Sequence, residues 1–221
     1  MGWTEQLGHT RMSMTTVSQL TYFIRADLFR YGGGCGAQAF VKNILINPGF
    51  QFTFWLRCRS WVVGGNLLRR IIFCWTRLIL RRLIIKYGIA LSPYMVLGPG
   101  LHIGHIGGIV VNERAIIGRN CNLSHGVTLG QTNRGKHFGF PVVGNNVYIG
   151  PGAKIIGGIT IGNNVAVGAN AVATRDVPDF SVVVGIPAKV ISQEGSVGYV
   201  NDTDYDNTLN SQKSAEPGTR I

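Results

Sequence analysis

A six-residue period between Val111 and Ala173 constrains the fold of this chain more than any other feature. Every sixth position carries a small or aliphatic residue, with one interruption, and the residue that follows is usually small. A period of six matches neither an α-helix, at about 3.6 residues per turn, nor a simple alternating strand, but it matches a β-solenoid of hexapeptides. Three hexads form one triangular coil with the aliphatic residue pointing inward. The periodic positions are Val111, Ile117, Leu123, Leu129, Val143, Ile149, Ile155, Ile161, Val167 and Ala173.

Glycine, proline and composition divide the chain into segments. We predict a mobile N-terminus over residues 1–16, a helical, basic region over 17–88, the β-helix over 89–190 and a disordered tail over 191–221. The interruption of the period predicts an extruded loop at 131–140, which adds eight residues to the repeat. The expected fold class is therefore mainly β, a parallel β-helix preceded by a helical segment.

Charge is spread unevenly along the chain. The net charge of +11 divides into +10 over residues 1–90, +4 over 91–190 and −3 over 191–221. A basic N-terminal region is compatible with an anionic partner, but the solenoid carries no nucleic-acid motif, and we expect no nucleic acid. The modest positive charge of the solenoid suits a phosphorylated cofactor.

The cysteines predict neither a metal site nor a disulfide framework. Cys35, Cys58, Cys74 and Cys121 show no CxxC spacing, and no signal peptide precedes them. This usage is typical of thiols in a reducing compartment. We therefore expect a cytoplasmic protein.

Residues 66–87 form the most unusual segment of the helical region. Its many aliphatic residues surround a stripe of Arg70, Arg77 and Arg81, which share one face of a helix, and six cations in all make a membrane span unfavourable. Two interpretations remain open. In one, the apolar flank packs on the solenoid or on a partner subunit. In the other, the helix lies in the plane of the inner membrane surface, with its basic residues among the lipid headgroups.

Histidine is the residue type in the solenoid best suited to chemistry. His105 and His125 lie 20 residues apart, close to one coil, so that they can lie one above the other. An imidazole is the natural general base for taking a proton from a hydroxyl. We predict His105 as the base and His125 as the residue that orients it or takes its role. His102 is expected to support packing, and His137 in the extruded loop is a weaker candidate for ligand contact.

A metal centre is an alternative use of several histidines. Three imidazoles bind zinc between subunits of γ-type carbonic anhydrases, which have a comparable solenoid. Apart from Glu113, no acidic residue lies near the histidines in the sequence. We expect no metal.

Four stretches of the solenoid resemble bacterial serine O-acetyltransferases. They are residues 101–118, 127–130, 150–157 and 184–190, and the resemblance covers about 88–191. It implies a left-handed parallel β-helix, an exception to the usual right-handed crossover. It also implies a homotrimer with acetyl-CoA bound in grooves between adjacent subunits, and it places the family's general-base histidine on His105.

Several positions depart from that family. Its two acidic positions align with Ala90 and Gly104, and its second histidine aligns with Phe140. The stretch 124–130 is instead similar to the subgroup that O-acetylates colanic acid and other exopolysaccharides. The sequence therefore favours an acetyl-CoA-dependent O-acetyltransferase that acts on a glycan hydroxyl in cell-surface polysaccharide biosynthesis. Serine O-acetylation in cysteine biosynthesis is the alternative.

The remaining candidate residues follow from these expectations. Backbone N–H groups along the coils are predicted to cradle acetyl-CoA, basic side chains to meet its phosphates, and the resemblance adds Ala169. The expected cofactor-binding residues are Gly130, Arg134, Lys136, Pro151, Gly152, Lys154 and Ala169. The residues expected to contact the acceptor sugar are Gln131, Asn133, Phe138 and Phe140.

Overall fold

A helical segment, a triangular β-helix and a folded tail follow one another along the chain. The computed structural model describes residues 14–62 and 67–215. Residues 1–13, which hold most of the predicted mobile N-terminus, lie outside this part, as do residues 63–66 and 216–221.

Four helices precede the β-helix, and their ends follow from local sequence signals. They are α1 (Val17–Phe29), α2 (Ala37–Ile46), α3 (Pro48–Val62) and α4 (Leu67–Tyr87). Thr16 caps α1 by accepting a hydrogen bond from the backbone N–H of Gln19, whose side chain bonds back in a capping box. Pro48 opens α3 at a position where its missing N–H costs nothing.

Fifteen short strands follow α4, and the first fourteen form the coils. The strands are β1 (Ile89–Ala90), β2 (Val96–Leu97), β3 (His102–Ile103), β4 (Ile109–Val111), β5 (Ile116–Ile117), β6 (Asn122–Leu123), β7 (Thr128–Gly130), β8 (Val142–Val143), β9 (Tyr148–Ile149), β10 (Lys154–Ile156), β11 (Thr160–Ile161), β12 (Ala166–Val167), β13 (Val172–Ala173), β14 (Val182–Val184) and β15 (Lys189–Ser192).

These strands form three parallel sheets, one for each side of the triangle. Their orders are β1-β4-β7-β10-β13, β11-β8-β5-β2 and β15-β14-β12-β9-β6-β3, and only β15 pairs antiparallel. The predicted left-handed hexapeptide β-helix is confirmed. The aliphatic side chains predicted to point inward do so, and those of Ile117, Leu123 and Ile149 are at most 1% exposed.

The pairing register shows where the coils depart from their regular length. Val110 pairs with Thr128, a step of 18 residues, whereas Thr128 pairs with Lys154, a step of 26 that includes the eight extra residues of the extruded loop. The first coil is also longer, since Ile89 pairs with Ile109, a step of 20. Its two additional residues widen the corner between β3 and β4, which contains His105.

A buried ion pair joins the helices to the β-helix. Arg57 of α3 donates to both carboxylate oxygens of Asp27 of α1, at 2.8 and 3.1 Å, and also to the carbonyl oxygens of Leu97 and Gly98. Asp27 accepts a further hydrogen bond, at 2.9 Å, from the backbone N–H of Leu101. The pair is therefore anchored on the first coil.

The tail differs from the disordered segment that we expected over 191–221. Within the described residues, β15 pairs with the last coil, and an eleven-residue helix, α5 (Tyr205–Ala215), returns to α1. Tyr205 is fully buried, and Asp206 accepts hydrogen bonds from Tyr22 and Arg119 at 2.8 and 2.5 Å. The polar composition predicted disorder, but burial of Tyr205 and Leu209 on one face of α5 is enough to hold the helix against α1.

Candidate active site

One edge of the triangular β-helix brings together the two predicted catalytic histidines and part of the predicted cofactor-binding set. This edge, which we call the histidine corner, consists of the corners between β3 and β4, β6 and β7, β9 and β10, and β12 and β13. The backbone N–H of Gly126 donates to the carbonyl of Gly107 at 2.8 Å, and that of Gly152 donates to the carbonyl of His125 at 2.9 Å. The same ladder continues from Asn170 to Pro151 at 2.8 Å. Residues from four successive coils are therefore stacked in register.

His105 and His125 are neighbours at this corner. Their ring centroids lie 6.0 Å apart in an edge-to-face arrangement at 82°, and both side chains are exposed. In the described part of the chain, no carboxylate bonds to either ring. Two solvent-accessible imidazoles at adjacent positions suit proton transfer to and from a small hydroxyl compound.

His102 has a different environment from the other two histidines. It is partly buried, and its ring lies 4.6 Å from the ring of Tyr31, between centroids. Burial, with a smaller contribution from the nearby charges of Arg30 and His105, lowers the pKa of His102 to about 4. His102 is therefore neutral near pH 7 and packs from the first coil against Tyr31, which follows α1, as expected for a residue that supports packing.

A column of glycines lies at the histidine corner, where successive coils come into close contact. Gly108, Gly126 and Gly152 have φ values of +65°, +70° and +72°, a region that side chains rarely occupy. A Cβ atom at Gly126 would lie 3.3 Å from the Cα of Gly152. The missing Cβ atoms therefore let successive coils stack closely beside His125.

Other predicted cofactor residues line the same edge or the strand that leaves it. Pro151, Gly152 and Ala169 lie in the coils beyond His125, and Ala169 is exposed. The ammonium group of Lys154, on β10, donates to the carbonyl of Gly126. Gly130 ends β7, where it pairs with Ile156, and so lies at the far end of the strand from His125.

The extruded loop leaves the β-helix at the next corner, at the opposite end of β7. Arg134 and Lys136 are exposed there, and the exposed fraction of Phe138 is 67%. Within one chain, the length of a strand separates these side chains from the histidine corner. His137 and Lys136 instead share a shallow groove with Arg175 and Asp176.

The predicted acceptor residues make contacts at that second corner. Gln131 accepts from Asn112 at 3.1 Å and donates to Asn133 at 2.5 Å. The ring of Phe140 lies under the guanidinium group of Arg114, 4.3 Å from its centroid. These side chains therefore hold the base of the loop.

Sequence analysis missed some residues of the histidine corner. It did not single out Gly108, Gly126 or Asn170, although Gly126 precedes Gly152 by the same 26 residues that separate Thr128 from Lys154. That shared spacing was the available signal. In the described residues, no three His, Cys, Asp or Glu side chains lie where they could hold a metal ion.

The chain is similar to known acetyltransferases. Residues 140–175 match the family described as bacterial transferase hexapeptide (six repeats). The chain is similar to a serine acetyltransferase of Synechococcus elongatus, with 39% identity over 157 residues, 70% of this chain and 62% of the relative. A serine acetyltransferase of Staphylococcus epidermidis is 44% identical over 108 residues, 49% of this chain and 51% of that protein. The chain therefore spans between one half and two thirds of the length of these relatives.

A solved structure shows the same similarity in three dimensions. The serine acetyltransferase of Brucella abortus in complex with coenzyme A superposes with a TM-score of 0.65 at 26% identity, covering 81% of this chain and 70% of that one. Similarity to serine acetyltransferases thus extends beyond the hexapeptide repeats.

The comparisons correct the acceptor that we expected from the sequence. The relatives are named serine acetyltransferases, and the exopolysaccharide subgroup receives no support. The glycan expectation relied on the aligned positions Ala90, Gly104 and Phe140, and Phe140 is held by Arg114. Identity spread over 157 residues outweighs those three departures.

Proposed function

Because residues 140–175 match the hexapeptide-repeat transferase family and similar proteins are serine acetyltransferases, we propose that this chain transfers the acetyl group of acetyl-CoA to the hydroxyl of L-serine. The observation that carries the proposal is the exposed pair His105 and His125 beside the column of glycines. This arrangement offers two exposed proton acceptors at one edge of the β-helix.

The proposed reaction is a direct transfer in which the hydroxyl oxygen of serine attacks the thioester carbonyl. His105 takes the proton of the hydroxyl as the new C–O bond forms. The C–S bond then breaks, and the departing sulfur of coenzyme A takes up a proton, so that the products are O-acetylserine and free coenzyme A. His125, whose ring centroid is 6.0 Å away, orients His105 or shares its proton.

The histidine corner also suits the thin pantetheine arm of acetyl-CoA. We assign the arm to the edge formed by Pro151, Gly152 and Ala169, in the coils beyond His125. Lys154 adds a positive charge beside the carbonyl of Gly126. We assign the phosphates to Arg134 and Lys136, which are exposed on the extruded loop.

A homotrimer reconciles the positions of the loop and the histidine corner. In one chain these two features lie at opposite ends of β7, and His105 and His125 face solvent. Threefold packing of triangular β-helices sets the loop of one subunit against the histidine corner of the next. We propose that each active site is formed by two subunits in this way.

Release of free thiol from acetyl-CoA tests the activity. We expect release that depends on L-serine and saturates, with no stimulation by L-alanine, which has the same charged groups but no hydroxyl. Spontaneous hydrolysis is measured with His105→Ala under the same conditions. Thiol release that is the same with and without L-serine would overturn the proposal.

A further inference from the structure

Helix α4 presents a broad apolar face to solvent. Seven of its large apolar side chains are between 40% and 75% exposed. They are Leu67, Leu68, Ile71, Ile72, Trp75, Leu78 and Ile85. Isolated exposed apolar residues are normal, but a continuous set along one helix marks an interaction surface.

This face points away from the rest of the protein. Thr76, Leu80 and Tyr87 are buried, and their spacing places them on one side of the helix, against α3 and the first coil. Ile71 and Leu78 recur at intervals of seven on the opposite side. The interpretation in which the apolar flank packs on the solenoid thus accounts for one side of α4 and leaves the other uncovered.

Positive charge accompanies the exposed face. Arg77 and Arg81, one turn apart, border it, and Arg82 and Lys86 extend it towards the end of the helix, all four with exposed side chains. Residues 67–87 contain no aspartate or glutamate, and neither ion pair of the described structure involves α4. The surface is therefore both apolar and cationic.

We propose that α4 docks in the plane of a bilayer that contains anionic phospholipids. The apolar side chains would enter the boundary between headgroups and acyl chains, and the flanking cations would meet lipid phosphates. The α4 helix of a second copy fits less well, because residues 67–87 carry no acidic side chain that could meet Arg77 and Arg81. This inference is independent of the proposed acetyl transfer.

None of the described helices is long and apolar enough to cross a membrane, so the attachment would be peripheral.

We expect the full chain to sediment with vesicles of phosphatidylcholine and phosphatidylglycerol at 2:1, and not with phosphatidylcholine alone. Raising the salt concentration should weaken the association, because it screens the exposed charges.

A matched pair of variants separates local charge from net charge. Arg77→Glu/Arg81→Glu should bind the anionic vesicles at least about tenfold more weakly. Arg175→Glu/Lys189→Glu makes the same change in net charge on exposed residues of the β-helix and should bind like the wild type. An equal loss of vesicle binding in both variants would overturn the proposal. So would equal sedimentation of the wild type with the two kinds of vesicle, or no sedimentation with either.

Cys74 gives a second readout in the same helix. Its side chain is exposed, whereas Cys35 and Cys121 are buried and burial raises the pKa of Cys58 to about 12, so a maleimide probe should label Cys74 selectively. An environment-sensitive probe there should brighten with anionic vesicles. No brightening, together with lipid-free self-association that Trp75→Ser abolishes, would assign the face to a second copy and overturn the membrane proposal.

Discussion

The two exposed histidines differ in the coil that carries them. His105 lies at the widened corner of the first coil, whereas His125 lies in a corner of regular length. The family resemblance places the general base on His105 rather than on His125.

We therefore predict that His105→Ala lowers kcat by about 10²- to 10⁴-fold, because a general base contributes about that much. The affinity for acetyl-CoA should change little, which an equilibrium binding measurement would check. His125→Ala should have a smaller effect on kcat. Near-full activity of His105→Ala, with loss in His125→Ala, would reverse the two roles.

His102 should make the free energy of unfolding decrease at acidic pH. Its pKa is about 4 in the folded protein, because it is buried, and near 6.5 when unfolded, so the unfolded chain binds the proton first. Its contribution is complete above about pH 6.5 and is lost as the pH falls towards 4, by roughly 2–3 kcal/mol.

Urea unfolding between pH 7 and pH 4 measures this effect. The variant His102→Gln keeps a polar side chain that does not titrate, and its free energy of unfolding should fall less over the same range. Parallel pH profiles for the wild type and His102→Gln would contradict the assignment.

At the scale of elements, the ion pair between α1 and α3 holds the helical segment on the β-helix. Removing one partner of a buried pair leaves the other charge without compensation. We predict that Asp27→Ala lowers the free energy of unfolding by about 3–5 kcal/mol, because Arg57 then stays buried and unpaired.

Chemical denaturation measures the change, with Glu113→Gln as the control. Glu113 is exposed, so its substitution should change stability by less than about 0.5 kcal/mol. A loss in Asp27→Ala no larger than that of the control would show that the pair does not anchor the helices.

The elements that sequence reasoning found are those whose pattern repeats. The period from Val111 to Ala173 specified the coils and the position of the loop, because each inward residue meets the same environment as the one a coil away. Helix α5 was not predicted, because only Tyr205 and Leu209 distinguish its sequence from that of a solvated polar segment. The ion pair of Asp27 and Arg57 escaped for a related reason, since no local signal links residues 30 positions apart.

At the scale of the whole molecule, the candidate site was only partly predictable. Stacking of His105 over His125 followed from coil length, but the distance of the loop from that corner depends on which end of β7 it leaves. The acceptor was wrong, because three substituted positions were weighed above similarity along the whole domain. The resemblance over residues 88–191 already pointed to serine, and the measured identity of 39% over 157 residues gives it the greater weight.

A shared active site makes a prediction about mixed oligomers. His105→Ala subunits and Arg134→Glu/Lys136→Glu subunits should each be nearly inactive alone. Refolded together in equal amounts, they should recover about a quarter of the wild-type activity, because one interface in four then pairs an intact histidine corner with an intact loop.

Native mass spectrometry of the wild type should show a trimer or a multiple of three. The same refolding procedure applied to wild-type subunits controls for its yield. Absence of recovery despite good wild-type refolding, or an active monomer, would place the complete site within one chain.

The contact of α5 with α1 has a topological consequence. Tyr22, near the start of the described chain, donates a hydrogen bond to Asp206, near its end. Segments that are far apart in the sequence are therefore neighbours in the fold. The chain could therefore begin and end at other positions and still form the same coils. A circular permutant that joins the two ends by a short linker and opens at Gly135 in the extruded loop would keep every coil and both helices of the closure, and only the place where synthesis begins would change.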